Sequence, residues 1–308
     1  MPGRPAGPVL ALIVLVWSAG CGSPRPADQP PPFTGTLGPT ALDLVTRSGT
    51  WPATQRLLDR AVNRLNQMCL ARQGFSYPDL DVPAPVDPAD DVAVVDLPGR
   101  ATRGYGITDA GPDVTPPSRS AADVFYDGLP PAERHRFDLA LFGSPHTRRE
   151  VDTAGGRYSV QDTGCEADSR RRLAGDVALW ARITYTPEAI GNRLAVEVEQ
   201  APAYRDALTA WRSCMRDQGH PYPTPEQAQQ DLRADTGTPA DRRRSVEIAV
   251  ASADGNCAIR TRLPSTALNA RRELAAHLPH ADRATVAELA FHRDAAVERA
   301  RAFVPSAP

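Results

Sequence analysis

Cysteine is the most reactive side chain in this sequence, and there are five: Cys21, Cys69, Cys165, Cys214 and Cys257. None sits in a CxxC pair or beside histidines at zinc-finger spacing. Structural zinc and thioredoxin-type exchange are therefore disfavoured. Two lie in related decapeptides, CLARQGFSYP (Cys69–Pro78) and CMRDQGHPYP (Cys214–Pro223), which share five identities, with Leu70 matching Met215. The other two follow an aspartate by three residues, in Asp162-Thr163-Gly164-Cys165 and Asp254-Gly255-Asn256-Cys257. With Cys21 set aside, four cysteines allow two disulfides in three connectivities. Each half runs from a Cys-x3-QGxxYP segment to an Asp-x-x-Cys segment expected to open a helix. The parsimonious pairing stays within the halves, Cys69–Cys165 and Cys214–Cys257, with cross-half pairing as the alternative.

Other chemistries find less support. All 35 basic residues are arginine, which excludes lysine Schiff bases, a P-loop lysine and Ser-Lys dyads. No G-x-S-x-G or SxxK signature and no nucleotide-binding glycine pattern is present. His277 and His280 have i, i+3 spacing, but Pro279 between them interrupts the helix their rings would need to converge on a metal. His220 takes the place of Phe75 in the repeated decapeptide, which favours packing over acid–base work. Asp79, Asp81, Asp87, Asp90, Asp91 and Asp96 lack the alternating spacing and closing glutamate of a calcium loop; they read as a solvated acidic loop. Arg170–Arg172 and Arg242–Arg244 read as solvated helix faces, with lipid headgroups or anionic wall polymers as the alternative partners. A net charge of −2 gives no reason to expect a nucleic-acid partner. No cofactor or metal is expected.

The N-terminus points to export. Arg4 precedes an apolar run, Val9–Trp17, too short for the roughly 20 helical residues that span a bilayer. Ser18-Ala19-Gly20-Cys21 then resembles a bacterial lipobox, with Cys21 as the lipidated residue and residues 1–20 as signal peptide. Residues 21–50 are Pro-rich and polar at first, and are expected to tether the folded part to the outer face of the cell membrane.

The elements that position the cysteines read as helices. Leu58, Val62, Leu65 and Cys69 share a helix face, as do Ala203, Ala207, Ala210 or Trp211, and Cys214. Gly74 and Gly219 follow as left-handed helix stops, and Tyr77-Pro78 and Tyr222-Pro223 send the chain onward extended. Thr186-Pro187, Thr224-Pro225 and Thr238-Pro239 have the form of an N-cap followed by Pro at N1. Helices are expected over 52–73, 131–142, 165–183, 187–198, 202–217, 225–234, 239–253, 257–277 and 282–303. Residues 79–125 read as an irregular insert, and 150–160 as a hairpin turning at Gly155-Gly156. The expected fold is mainly α, with a degenerate internal repeat, two disulfides, this insert and one short β-hairpin. The halves, 51–185 and 186–308, are expected to pack as one unit.

Gly128–Gly143 (GLPPAERHRFDLALFG), Gly164–Asp176 (GCEADSRRRLAGD), Cys214–Pro223 and Ala251–Leu263 (ASADGNCAIRTRL) together resemble uncharacterised exported proteins and lipoproteins of actinobacteria. The resemblance implies an exported, mostly helical protein with paired cysteines, and no particular activity. The functional expectation is a non-catalytic binding or accessory component of the envelope, meeting a membrane transporter or wall polymer. The alternative is a wall-directed hydrolase using carboxylates that sequence alone does not identify.

Overall fold

The computed structural model describes residues 29–108 and 119–304. Residues 1–28, including the expected signal segment and Cys21, lie outside the described residues. The fold is mainly helical, with one antiparallel hairpin.

In chain order, α1 (Pro39–Thr46) and α2 (Trp51–Ala71) lead into the first decapeptide. Three short helices follow, α3 (Asp91–Val95), α4 (Leu97–Arg103) and α5 (Ala121–Gly128), then α6 (Pro131–Phe142) and the hairpin β1 (Arg148–Thr153) with β2 (Gly156–Gln161). The rest is helical: α7 (Cys165–Ala174), α8 (Val177–Val198), α9 (Pro202–Asp217), α10 (Pro225–Ala234), α11 (Ala240–Thr261), α12 (Leu263–Ala276) and α13 (His280–Arg301).

The disulfides join Cys69 to Cys165 and Cys214 to Cys257, with Cα separations of 5.6 and 5.7 Å. Both decapeptides end their helix in the same way. Phe75 N–H donates to the Leu70 carbonyl and His220 N–H to the Met215 carbonyl, while Gly74 and Gly219 take φ of +86° and +80°. This six-to-one closure needs a left-handed residue that glycine adopts without strain. Tyr77 and Tyr222 then pack against the cluster holding their own disulfide. Phe75 is buried edge-on against Phe137 at 5.3 Å, whereas His220 is half-buried.

Several expectations need correction. The expected tether cannot extend to residue 50, because Ala41, Leu44 and Val45 of α1 are buried in the main core with Ile190, Leu194, Val286 and Leu289. Thr186-Pro187 does not start a helix. Pro187 lies inside α8, where the packing of Ile183, Ile190 and Leu194 outweighs one lost backbone hydrogen bond. Buried Thr186 instead receives the Ala154 N–H of the hairpin at 3.4 Å. The expected helix 165–183 breaks at Gly175, where Asp176 caps α8. Cys257 does not open a helix; α11 runs through it and stops at left-handed Arg262. Pro239, rather than Thr238, is the N-cap of α11. The hairpin turns at Ala154-Gly155, one residue before the expected pair, since Thr153 is opposite Gly156.

The largest correction concerns the insert. Asp90 caps α3 and Asp96 caps α4, so acids that read as a solvated loop are helix starters. Asp91 accepts from Ser265 N–H (2.7 Å) and hydroxyl (2.9 Å), capping α12 from outside. Arg100 is ion-paired with Asp254 of α11. The α4 helix rides directly over Gly255, where a Cβ would lie 2.7 Å from Leu97 and 2.9 Å from Val95. Gly255→Leu is therefore expected to expel α3 and α4 from α11. Hydrogen exchange would show amides of residues 91–108 losing protection while α2 and α13 keep theirs; unchanged protection would overturn this seating.

Candidate functional site

Two groups of buried polar side chains could support chemistry, and they differ in what fills them. The first lies on α11. Glu247 is 0% exposed, yet its carboxylate accepts four hydrogen bonds: Tyr105 N–H and Ile107 N–H at 2.8 Å, Thr108 N–H at 2.7 Å and the Thr108 hydroxyl at 2.5 Å. Two turns along, Asp254 accepts from the Trp211 indole at 2.9 Å and the Tyr105 hydroxyl at 2.9 Å, and pairs with Arg100. Burial, then the adjacent Asp254, pushes the Tyr105 hydroxyl far above its ordinary pKa. These donors saturate both carboxylates, so the cluster acts as a clasp that seals the insert onto α11.

The second group surrounds a pocket of about 200 Å³ between α1, α2, α8 and α13. Its walls include Trp51 and Trp180, with Leu44, Leu58 and Ile183 behind them. Arg293 of α13 reaches it from the core at 5% exposure. Its hydrogen-bond partners are neutral, the Thr54 hydroxyl at 2.8 Å and the Gln55 side-chain oxygen at 3.3 Å. Among the described residues no carboxylate lies within ion-pair distance of it. Burial pushes its pKa down to about 10, against the opposing pull of Asp294 and Asp59, so it remains a cation at neutral pH. Arg47 stands at the rim, 5.4 Å from the Trp51 ring centroid and 3.2 Å from Glu188. Pro187, also in the wall, has no N–H to offer the Ile183 carbonyl one turn back.

Local sequence explains how these side chains are placed. Between α1 and α2 the chain turns through left-handed Arg47 and Gly49, wrapped around Asp43. That carboxylate accepts from Thr50 N–H (2.9 Å), the Thr50 hydroxyl (3.1 Å) and Arg272 of α12 (2.8 Å). A Cβ at Gly49 would lie 2.3 Å from its oxygen. The turn swings Arg47 and Trp51 to the pocket, while Gly191 lets the Val45 carbonyl approach α8 closely.

Of the sequence-derived positions, Cys69, Cys165, Gly74, Tyr77 and Pro78 gather at one joint, and Cys214, Cys257, Gly219, Tyr222 and Pro223 at another. Neither joint contributes to the pocket. Cys21 lies outside the described residues. The His277 ring contacts the Glu273 carbonyl at 2.8 Å, and His280 opens the next helix against Phe33. Among the described residues no three His, Cys, Asp or Glu are gathered to hold a metal ion. Sequence reading missed Trp51, Trp180 and Arg293. The available signal was the pair of tryptophans and a proline inside an apolar helix, but only the fold brings them together.

Comparisons with protein-family models, curated proteins and solved structures found no match for this chain.

Burial raises the Asp43 pKa, but Thr50 and Arg272 outweigh it, and the net value falls below the ordinary 3.8. A depressed folded-state pKa contributes stability above the unfolded value and loses it as pH falls through the folded one. Asp43→Asn is expected to cost about 3 kcal/mol at pH 7, with the gap to the native protein narrowing below about pH 4. Urea melts at pH 7 and pH 3 check this; an equal gap at both would mean that Asp43 acts without its charge.

Proposed function

We propose that this protein is a lipid-anchored, extracytoplasmic binding component of the cell envelope, without catalytic activity of its own. The observation carrying the reading is the pair of disulfides, each the covalent centre of its own core cluster. Structural disulfides persist in oxidising compartments, which agrees with the export segment and with Cys21 as the acylated residue. Closing loops 96 and 43 residues long would stabilise the fold by about 4–5 kcal/mol each in the loop-entropy account.

A binding role, rather than wall hydrolysis, is supported by how the carboxylates are used. Glu247, Asp254 and Asp43 hold backbone and side-chain donors in place. Among the described residues lining the pocket between α1, α2, α8 and α13, Glu188 is the single carboxylate, and it is paired with Arg47. A paired-carboxylate mechanism needs two facing a substrate.

The tether sets the geometry of the anchor. Phe33 contacts His280 at 5.2 Å and Leu37 packs on the main core, so the chain leaves the body near residue 33. The twelve residue steps from Cys21 to Phe33 span at most about 40 Å. The body would therefore work close to the membrane, within reach of a transporter or of wall polymer at the bilayer surface.

Cys21→Ala is expected to move the protein from the membrane fraction to the soluble extracytoplasmic fraction of an actinobacterial host. Unchanged partition would defeat the anchor. The purified mature protein, acylated on Cys21, should show no free thiol without reductant. Reduction should lower the thermal midpoint by more than about 10 °C, given the stabilisation above.

A further inference from the structure

A buried guanidinium whose hydrogen-bond partners are both neutral is an unusual wall for a pocket that otherwise mixes Leu, Ile and Trp side chains with Gln55, Thr184 and the Arg47–Glu188 pair. Burying a cation costs free energy unless a counter-charge meets it. Thr54 and Gln55 satisfy part of Arg293 by hydrogen bonding but leave its charge uncompensated at contact distance. An anion entering the pocket would supply that charge. Arg47 at the rim adds a second cation, partly offset by Glu188.

We propose that the pocket between α1, α2, α8 and α13 binds a small aromatic monocarboxylate, its ring against Trp51 and Trp180 and its carboxylate towards Arg293. The proposal rests on the binding-protein reading and names the ligand class of that site. Volume and walls select the class. About 200 Å³ holds one six-membered ring with a short acidic substituent, since a cavity near 150 Å³ accepts benzene. Indole faces favour a planar apolar body in offset or edge contact. A guanidinium binds a carboxylate through paired, charge-assisted hydrogen bonds. A hydrated inorganic anion would satisfy the arginine but gain nothing from the apolar surface of Trp51 and Trp180.

The turn around Asp43 supplies one side of the site. It places Arg47 and Trp51 within four residues of each other at the rim. Pro187 and the exposed Thr184 of α8 also line the pocket.

Calorimetry and tryptophan fluorescence on the purified mature protein, disulfides intact, test the proposal with benzoate as probe. Saturable benzoate binding is expected below about 10 mM, with benzyl alcohol and inorganic phosphate each at least about tenfold weaker. Arg293→Gln should weaken benzoate at least about tenfold and leave benzyl alcohol unchanged. Circular dichroism would establish that this variant folds. Thr184→Trp fills the pocket from the exposed rim without touching the core, and should abolish benzoate binding. Absence of saturable benzoate binding would overturn the proposal, as would equal binding of phosphate or benzyl alcohol, or full retention in Thr184→Trp. Membrane partition through Cys21 is independent of these outcomes, so failure of the ligand leaves the anchor standing, and the reverse.

Discussion

A carboxylate removed from water has to be given hydrogen-bond donors, and Glu247 is removed from water completely. The chain meets that demand with the amides of Tyr105, Ile107 and Thr108 and the Thr108 hydroxyl, about 140 positions earlier. Every other feature of the insert follows from this closure. Gly104 must be left-handed and without a side chain, because a Cβ there would lie 2.8 Å from the Glu247 oxygen. Tyr105 is then placed over Asp254, and Arg100 completes that carboxylate's partners. Asp91, further back, supplies the cap that α12 lacks in its own sequence. The segment thereby connects the N-terminal part of the chain to α11 and α12 through charge-assisted hydrogen bonds, which are about twice as strong as neutral ones.

The two disulfide joints work on a smaller scale and by a different principle. Each combines a left-handed glycine, a six-to-one hydrogen bond and a half-cystine at the end of a helix, all local to about ten residues. Their surroundings differ. Gln73 approaches Cys165 Sγ at 3.3 Å in the first, while Arg260 lies against Cys214 Sγ in the second. Cys165 stands at the start of α7, but Cys257 lies inside α11. The recurrence therefore preserves how a helix ends and is stapled, rather than a whole duplicated unit.

Between these regions, α13 and α8 organise the main core and also line the pocket. Pro187 persists within α8 because burial of the flanking apolar residues exceeds the cost of the missing backbone bond. The tight turn about Asp43 trades conformational freedom at Arg47 and Gly49 for a fixed position of Trp51. The pocket is thus built from left-handed or interrupted backbone held by a well-packed core.

Features governed by neighbours a few residues away were legible in sequence. The helix stops at Gly74 and Gly219, the Thr224-Pro225 start, the hairpin and the amphipathic faces of α2 and α9 all follow from backbone sterics and periodicity. So did the within-half disulfide order, because the repeated motifs marked it. What sequence could not decide was which partner each polar group would find. The insert aspartates read as solvated, since a cap is distinguished from a loop acid only once the helix behind it packs. Thr186-Pro187 read as a start, since local rules cannot weigh one hydrogen bond against a core. Glu247, Arg293 and the two tryptophans looked like ordinary surface or core residues until helices from both ends of the chain were assembled around them. Burial decides their charge environment, and burial is a property of the tertiary structure alone.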